Sequence, residues 1–415
     1  MAETRKLYPW LVLGIAIRLL CILPGHHHSD LTLVREWGVK ANIYGILTVY
    51  DTARHYDVPG YPPLVPCLAW AMDNAGNALK RIFGDFDAFQ WLYKLFLLAV
   101  DVAVMLLIFR FLNGTLRAAL LATLFFLNPG VIFNGVVWGQ MDNLLVLFIA
   151  ASLIAILRQR PLIAGLCFGL ACLTKMQAAV FAPLLLVLAL QELRPAGALK
   201  SALAAGLTFF LFCAPFMAVG RFGLILSFFA TSASLCPYFS VNAFNLFWLL
   251  SGGTGFVPDS RVLALGLSAK TAGLLIFAAG YAAAILSLLS DPPGKNRCAA
   301  FAFLAFAFYM LPTQMHERYL FPFFVFFLMA DPARKRDAAL YIALSLLFFV
   351  NLAAVFSVNR GCAGFLNAHF HVIAAAAASL NLALFLYYSA QTLSRVRFKA
   401  VREALRLNPQ NGGPA

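Results

Sequence analysis

The sequence predicts an all-α, polytopic membrane protein with about twelve transmembrane helices. Three observations carry this expectation. Of the 415 residues, 62% are hydrophobic and 12% charged, against about 25% charged in an ordinary soluble domain. A soluble globule could not hide so much apolar surface, because folding leaves a large area exposed. The apolar residues also gather into long runs, and every second connection between runs is basic. The net charge of +14 therefore reads as the positive-inside bias of membrane proteins rather than as a nucleic-acid-binding surface.

In chain order the runs fall at about 8–24, 92–112, 116–134, 138–157, 161–174, 177–191, 200–220, 262–289, 297–312, 318–331, 337–357 and 368–390; several are shorter than a bilayer requires, and those around 161–191 and 297–331 read as tilted, broken or re-entrant helices. The first has no small-residue cleavage site and reads as a retained signal anchor. Arg5 and Lys6 place the N-terminus in the cytoplasm. Arg110 and Arg117, Arg158 and Arg160, Arg194 and Lys200, Lys295 and Arg297, and Arg334, Lys335 and Arg336 then share that side. The tail adds Arg395, Arg397, Lys399, Arg402 and Arg406, so both termini are expected to be cytoplasmic. One transmembrane domain over 1–390 and a basic tail over 391–415 follow. Eight cysteines without a CxxC pair call for neither a disulfide framework nor a zinc site.

On the other face two connections are long, 25–91 and 221–261. Loops of such length in a compact protein are usually functional or disordered, and the aromatics and helix-compatible stretches here favour order and function. The first should hold helices at 30–43 and 64–82, on either side of the turn Tyr61-Pro62-Pro63, whose prolines fix the backbone.

This face also collects the acids. Asp30 sits just beyond the first run, where partial desolvation suits a carboxylate to general-base work; the plainer reading is an acid at the positive end of its helix. Glu36 and Trp37 lie about two turns along that helix. His26, His27 and His28 precede it and read as interfacial or phosphate-binding rather than metal-ligating, since adjacent side chains diverge. Trp138-Gly139-Gln140-Met141-Asp142-Asn143 offers polar groups in an apolar neighbourhood, which marks a site; an N-cap by Asp142 is the alternative. Lys175 interrupts an apolar stretch and needs water or an anion, with snorkelling as its alternative. In His316-Glu317-Arg318 the guanidinium can grip a phosphate in two-point fashion; a local ion pair with Glu317 competes with that role. Asp101, inside the second run, should pair with an inward polar group. Asp85-Phe86-Asp87 resembles a DxD metal motif only in outline.

Taken together, these motifs resemble the GT-C glycosyltransferases, multispanning enzymes that take sugars from polyprenyl-phosphate carriers. Asp30 with Glu36-Trp37, followed by Gly60-Tyr61-Pro62-Pro63-Leu64, is similar to the first external loop of the dolichyl-phosphate-glucose glucosyltransferases. Trp138-Gly139-Gln140-Met141-Asp142, Lys175-Met176-Gln177, Ser240-Val241-Asn242-Ala243-Phe244-Asn245 and Met315-His316-Glu317-Arg318-Tyr319-Leu320 look like a set shared by prokaryotic members. Gly60 stands where the usual pattern has Asp, and Met176 where it has Pro.

The resemblance implies a GT-C fold with a helical first external loop and Asp30 as the catalytic acid-base residue. The expected reaction is inverting transfer of a hexose, mannose or glucose, from a polyprenyl-phosphate sugar to a hydroxyl on a lipid or glycan. His316, Arg318 and Lys175 would hold the donor phosphate. Glu36, Trp37, Tyr61, Gln140, Asp142, Asn143, Asn242 and Asn245 would contact the sugars. The expected partners are the lipid-linked donor, the acceptor and membrane lipids, with no nucleic acid. No cofactor or metal site is expected, and dependence on a free divalent metal is left open. Compact loops point to a bacterial inner membrane with a periplasmic site. The rival reading, a transporter or lipid flippase, would call for charges at mid-membrane and often an inverted repeat; the polar clusters gather on one face instead.

Overall fold

The computed structural model describes residues 7–22, 30–51, 58–84, 88–292, 296–359 and 364–405. The readings placed on His26, His27, His28, Asp85 and Asp87 lie outside the described residues, as do Arg5, Lys6, Lys295 and Arg406.

The chain is helical almost throughout. α1 (Tyr8–Ile22) precedes α2 (Asp30–Tyr44) and α3 (Leu64–Phe83), the two helices of the first long connection. α4 (Ala88–Phe111), α5 (Leu116–Phe126) and α6 (Pro129–Ile132) follow, and α6 continues into a π-helical turn at Phe133–Trp138. Next come α7 (Asp142–Leu157), α8 (Pro161–Thr174), α9 (Ala178–Glu192) and α10 (Arg194–Ala218). The second long connection holds α11 (Phe222–Thr231), β1 (Ser240–Val241) and α12 (Leu246–Leu250). The rest comprises α13 (Ala269–Ser290), α14 (Cys298–Met310), β2 (Met315–His316), α15 (Phe321–Met329), α16 (Lys335–Asn359), α17 (Phe365–Ala368), α18 (Phe370–Ser394) and α19 (Phe398–Leu405).

Each expected run contains a helix, and the stretches 161–191 and 297–331, expected to be short or broken, give α8, α9, α14 and α15 of 14, 15, 13 and 9 residues; twelve helices long enough to span are not found among the described residues. Among the described residues five helices are long and apolar enough to cross a bilayer: α4, α10, α13, α16 and α18. A sixth arises if α5 and the Pro129–Trp138 segment, bent by 50°, count as one span. α1, α7, α8, α9, α11 and α14 are apolar but only 10–17 residues long. At about 1.5 Å per residue such helices fall short of a hydrocarbon layer about 30 Å thick. Identifiable residues do the shortening. Lys175 is extended and ends α8. The 262–289 run becomes helical only at Ala269, where the Ser268 hydroxyl accepts from the Thr271 amide. The 318–331 run opens with a 3-10 turn and leaves nine residues for α15.

Packing follows residue size. Every residue of α15 is buried, as expected of a helix that is apolar all round. Its phenylalanines stack on those of α14, with Phe306 and Phe323 ring centres 5.4 Å apart. α8 and α10 touch backbone to backbone. A Cβ added at Gly165 would strike the Ser201 carbonyl, and one at Gly169 would lie 2.7 Å from Thr208 Cβ. This Gly165-to-Gly169 spacing is the small-xxx-small pattern of close helix pairs in lipid. In the first connection, α2 lies on α3 through Gly38, whose added Cβ would meet the Ala69 carbonyl at 2.6 Å.

Basic connections expected to share a face do meet. Arg117, in the first turn of α5, pairs with Asp331, after α15. Arg297, before α14, pairs with Glu192 at the end of α9. Asp101 of α4 finds its inward partner in Arg18 of α1, at 2.9 Å with both side chains fully buried.

Candidate active site

Asp30 opens α2, and the helical repeat carries its face through Leu33, Val34 and Trp37. These residues line a cavity of about 70 Å³. Two side chains from the 138–140 segment hold the carboxylate: Trp138 Nε1 donates to Asp30 Oδ2 at 2.8 Å and Gln140 Nε2 donates to the same oxygen at 2.6 Å. The local fold allows this because the π-helical turn ends at Gly139, whose φ of 90° is left-handed and costs glycine little. The Tyr93 hydroxyl fixes that bend by donating to the Gly139 carbonyl at 3.0 Å.

From Gln140 the polar contacts run on. The Tyr61 hydroxyl donates to Gln140 Oε1 at 3.2 Å. Lys175 Nζ stands 5.3 Å from the centre of the Tyr61 ring. Lys175 in turn is ion-paired with Asp142 at 2.8 Å, both nearly fully buried, and Asn134 donates to the other Asp142 oxygen. The 138–142 motif therefore orients Asp30 with one end and Lys175 with the other.

Arg318 is among the residues that line the small cavity. It also lines a second, larger cavity of about 500 Å³, together with Tyr61, Lys175, His316 and a largely apolar wall that includes Val180, Leu274 and Phe277. Arg318 Nη1 donates to Glu317 Oε1 at 2.6 Å, while its Nε is buried without a partner. The Trp37 indole N–H at the small cavity is likewise buried and unpartnered. A buried donor left this way is costly, and each of these N–H groups is free to donate to a ligand oxygen. Burial, and then the charges of Arg318 and Lys175, hold the His316 imidazole well below its ordinary pKa. Burial raises the Glu317 carboxyl despite the opposing effect of Arg318.

β1 and β2 form a two-stranded parallel pair, Ser240 opposite Met315 and Val241 opposite His316. This pairing ties the second long connection to the His316–Arg318 segment.

The sequence-predicted residues thus separate into two groups. Asp30, Trp37, Tyr61, Gln140, Lys175, His316 and Arg318 line the two adjoining cavities. The others occupy different places. Glu36 lies off the cavity face of α2, is about half exposed and stands 3.9 Å from Lys40. Asp142 is consumed by Lys175 and Asn134. Asn143 is fully buried and donates to Asp101 Oδ1 and to the Leu97 carbonyl. Asn245 caps α12 by accepting from the Trp248 amide and donates to the Tyr309 carbonyl. The Asn242 carbonyl accepts from Asn351. These residues fix backbone at the edge of the site, because a buried amide or carboxylate so close to lipid must be satisfied internally.

Trp138 and Tyr93 are the contributors that residue-type reasoning passed over. Trp138 was visible in its motif as the residue two before Gln140. Tyr93 carried no signal. Among the described residues no three His, Cys, Asp or Glu side chains group as a metal site would.

The fold and the site define a polytopic helical membrane protein in which a half-buried carboxylate, Asp30, and a half-buried arginine, Arg318, line one small cavity that adjoins a larger, mostly apolar one. The family model of glycosyltransferase family 87 matches residues 81–312, more than half of the chain. The chain belongs to that family and is a glycosyltransferase of the GT-C superfamily, whose donors are polyprenyl-phosphate sugars. The matched segment includes Gln140, Asp142 and Lys175, whereas Asp30, Tyr61, His316 and Arg318 lie outside it. Comparison with curated proteins gives no match.

Proposed function

We propose that the protein transfers a hexose, mannose or glucose, from a polyprenyl-phosphate carrier to a hydroxyl of a lipid or glycan, with inversion at the anomeric carbon. The observation that carries this reading is that Asp30 and Arg318 line one small cavity, while Arg318 also faces the large apolar one. In this reading an acid-base group and a phosphate-binding group share one cavity with room between them for the sugar–phosphate bond.

The acceptor hydroxyl gives its proton to Asp30 as its oxygen attacks the anomeric carbon. The bond from that carbon to the phosphate oxygen breaks, and the polyprenyl phosphate leaves with the electron pair. Arg318, through its unpartnered Nε, and the neutral His316 stabilise the charge that grows on the phosphate. Lys175 adds a positive field already shared with Asp142. Trp37, Tyr61 and Gln140 position the sugars, and the isoprenoid chain occupies the apolar cavity. By the basic-connection rule the site faces the periplasm of a bacterial inner membrane, with both termini cytoplasmic.

The test uses purified protein with polyprenyl-phosphate mannose and polyprenyl-phosphate glucose, and an extracted membrane lipid fraction as acceptor. Transfer with one donor, lost in Asp30→Asn, is the expected result. Undiminished transfer by Asp30→Asn removes Asp30 from the role.

A further inference from the structure

The large cavity has one cationic side chain that the motif reading did not single out, Lys270 on the first turn of α13. Its surroundings give it no local reason to be there. A cation at the N-terminal end of a helix meets the positive end of the helix dipole, which disfavours it. The cavity wall around it is mostly apolar, with Leu274 and Phe277 on the same helix.

The other cations of this cavity are already matched. Lys175 is paired with Asp142 at 2.8 Å and Arg318 with Glu317 at 2.6 Å. His316 is held neutral by burial and by those same two cations. Lys270 makes no ion pair or side-chain hydrogen bond among the described residues. The acid nearest to it along the backbone contacts is Asp259, whose carbonyl accepts from the Lys270 amide at 2.9 Å. Yet the Asp259 carboxylate is engaged elsewhere, by Gln314 Nε2 at 2.6 Å and Thr313 Oγ1 at 3.3 Å. Those contacts also fix Lys270 in place: its backbone is pinned to Asp259, Asp259 is pinned to Gln314, and Gln314 is two residues from His316.

The geometry points to Lys270 as an anion-binding residue of the large cavity that, with Arg318, receives the phosphoryl group of the lipid-linked donor. This rests on the polyprenyl-phosphate reading above and adds the uncompensated charge that reading lacks. With Lys175 and Arg318 each paired with its own carboxylate, Lys270 offers the phosphoryl group a positive charge that no acid among the described residues offsets.

The probe is a long-chain polyprenyl phosphate, with the polyprenol of equal length as the uncharged control. Binding is measured to wild type, Lys270→Gln and Lys270→Arg in nanodiscs. The expected result is that wild type prefers the phosphate and Lys270→Gln loses about tenfold or more of that preference, the scale of one hydrogen bond to a charged group. Lys270→Arg retains it, and polyprenol binding is the same in all three. A wild-type preference kept by Lys270→Gln overturns the proposal. So does an equal loss of polyprenol binding, which would mark Lys270 as structural, and so does a loss seen only when phosphatidylglycerol vesicles replace the polyprenyl phosphate, which would make bulk lipid the occupant. A wild type without any preference for the phosphate overturns the donor reading itself, and so fails in a distinguishable way.

Discussion

Exchanging Lys175 for Met would strip Asp142 of its ionic partner in a place where water cannot replace it. The two side chains are 2% and 3% exposed, and the Nζ–Oδ1 distance is 2.8 Å. Breaking a buried pair by removing one member typically costs about 3–5 kcal/mol, because the remaining charge is left without compensation. Here Asp142 keeps one neutral contact, from Asn134 at 3.2 Å, so the lower end of that range is expected. Removing both charges, as Asp142→Asn with Lys175→Met, should recover most of the loss, since neutral isosteres at buried pairs are often tolerated. A double-mutant cycle on unfolding free energy in mixed micelles reads this coupling directly. Alongside it, affinity for polyprenyl phosphate separates two roles for Lys175. If its charge is mainly spent on Asp142, the double variant binds the lipid within a few-fold of wild type once folded. Additive single losses, with no recovery in the double variant, would refute the reasoning that the pair acts as a unit.

Other outcomes follow from the same geometry. Trp37→Phe removes a buried indole N–H that has no partner; stability should change by less than about 1 kcal/mol while KM for the acceptor rises, checked by melting and steady-state transfer. Gly169→Leu should prevent α8 from seating on α10 and sharply reduce folded yield on size exclusion, whereas Gly206→Ala, with open space around it, should leave the yield unchanged. His316 is depressed by burial and by Arg318 and Lys175 from its ordinary value of 6.5. The unfolded chain therefore binds more protons below that pH, and stability falls as pH drops through it. His316→Gln should flatten that part of the difference between melting points at pH 7.5 and 5.5, and an unchanged slope would contradict the assignment.

Much of this arrangement was legible in the residues and some was not, for physical reasons. Hydropathy located the helical runs because lipid demands apolar faces, and it located the two long connections by the gaps between runs. It could not set helix lengths, because the breaks depend on single residues: an extended Lys175, a capping Ser268, a 3-10 turn at Glu317–Leu320. At the site, Asp30, Gln140, Lys175 and Arg318 stood out because ionisable and amide groups near lipid must be accounted for. The same rule drew in Asn143 and Asn245, which are satisfied by Asp101 and by the α12 amide rather than by a ligand. Polarity near lipid thus identifies groups that need partners, and only the fold says whether the partner is protein or substrate. Glu36 was misplaced for a simpler reason: the 100° turn per residue of α2 that aims Trp37 at the cavity aims its neighbour away from it. Lys270 was passed over because it falls outside every motif, inside the expected 262–289 run, where hydropathy averages a single lysine away.

In the proposed mechanism Asp30 and Arg318 act on opposite ends of one sugar–phosphate bond, and a structure with a non-cleavable phosphonate analogue of the lipid-linked sugar tests this most directly. The phosphonate should lie within hydrogen-bonding distance of Arg318 Nε, the sugar should face the Asp30 cavity, and the isoprenoid should fill the 500 Å³ cavity lined by Val180 and Phe277. An analogue bound with its sugar turned away from Asp30, or with its phosphonate out of reach of Arg318, would contradict it.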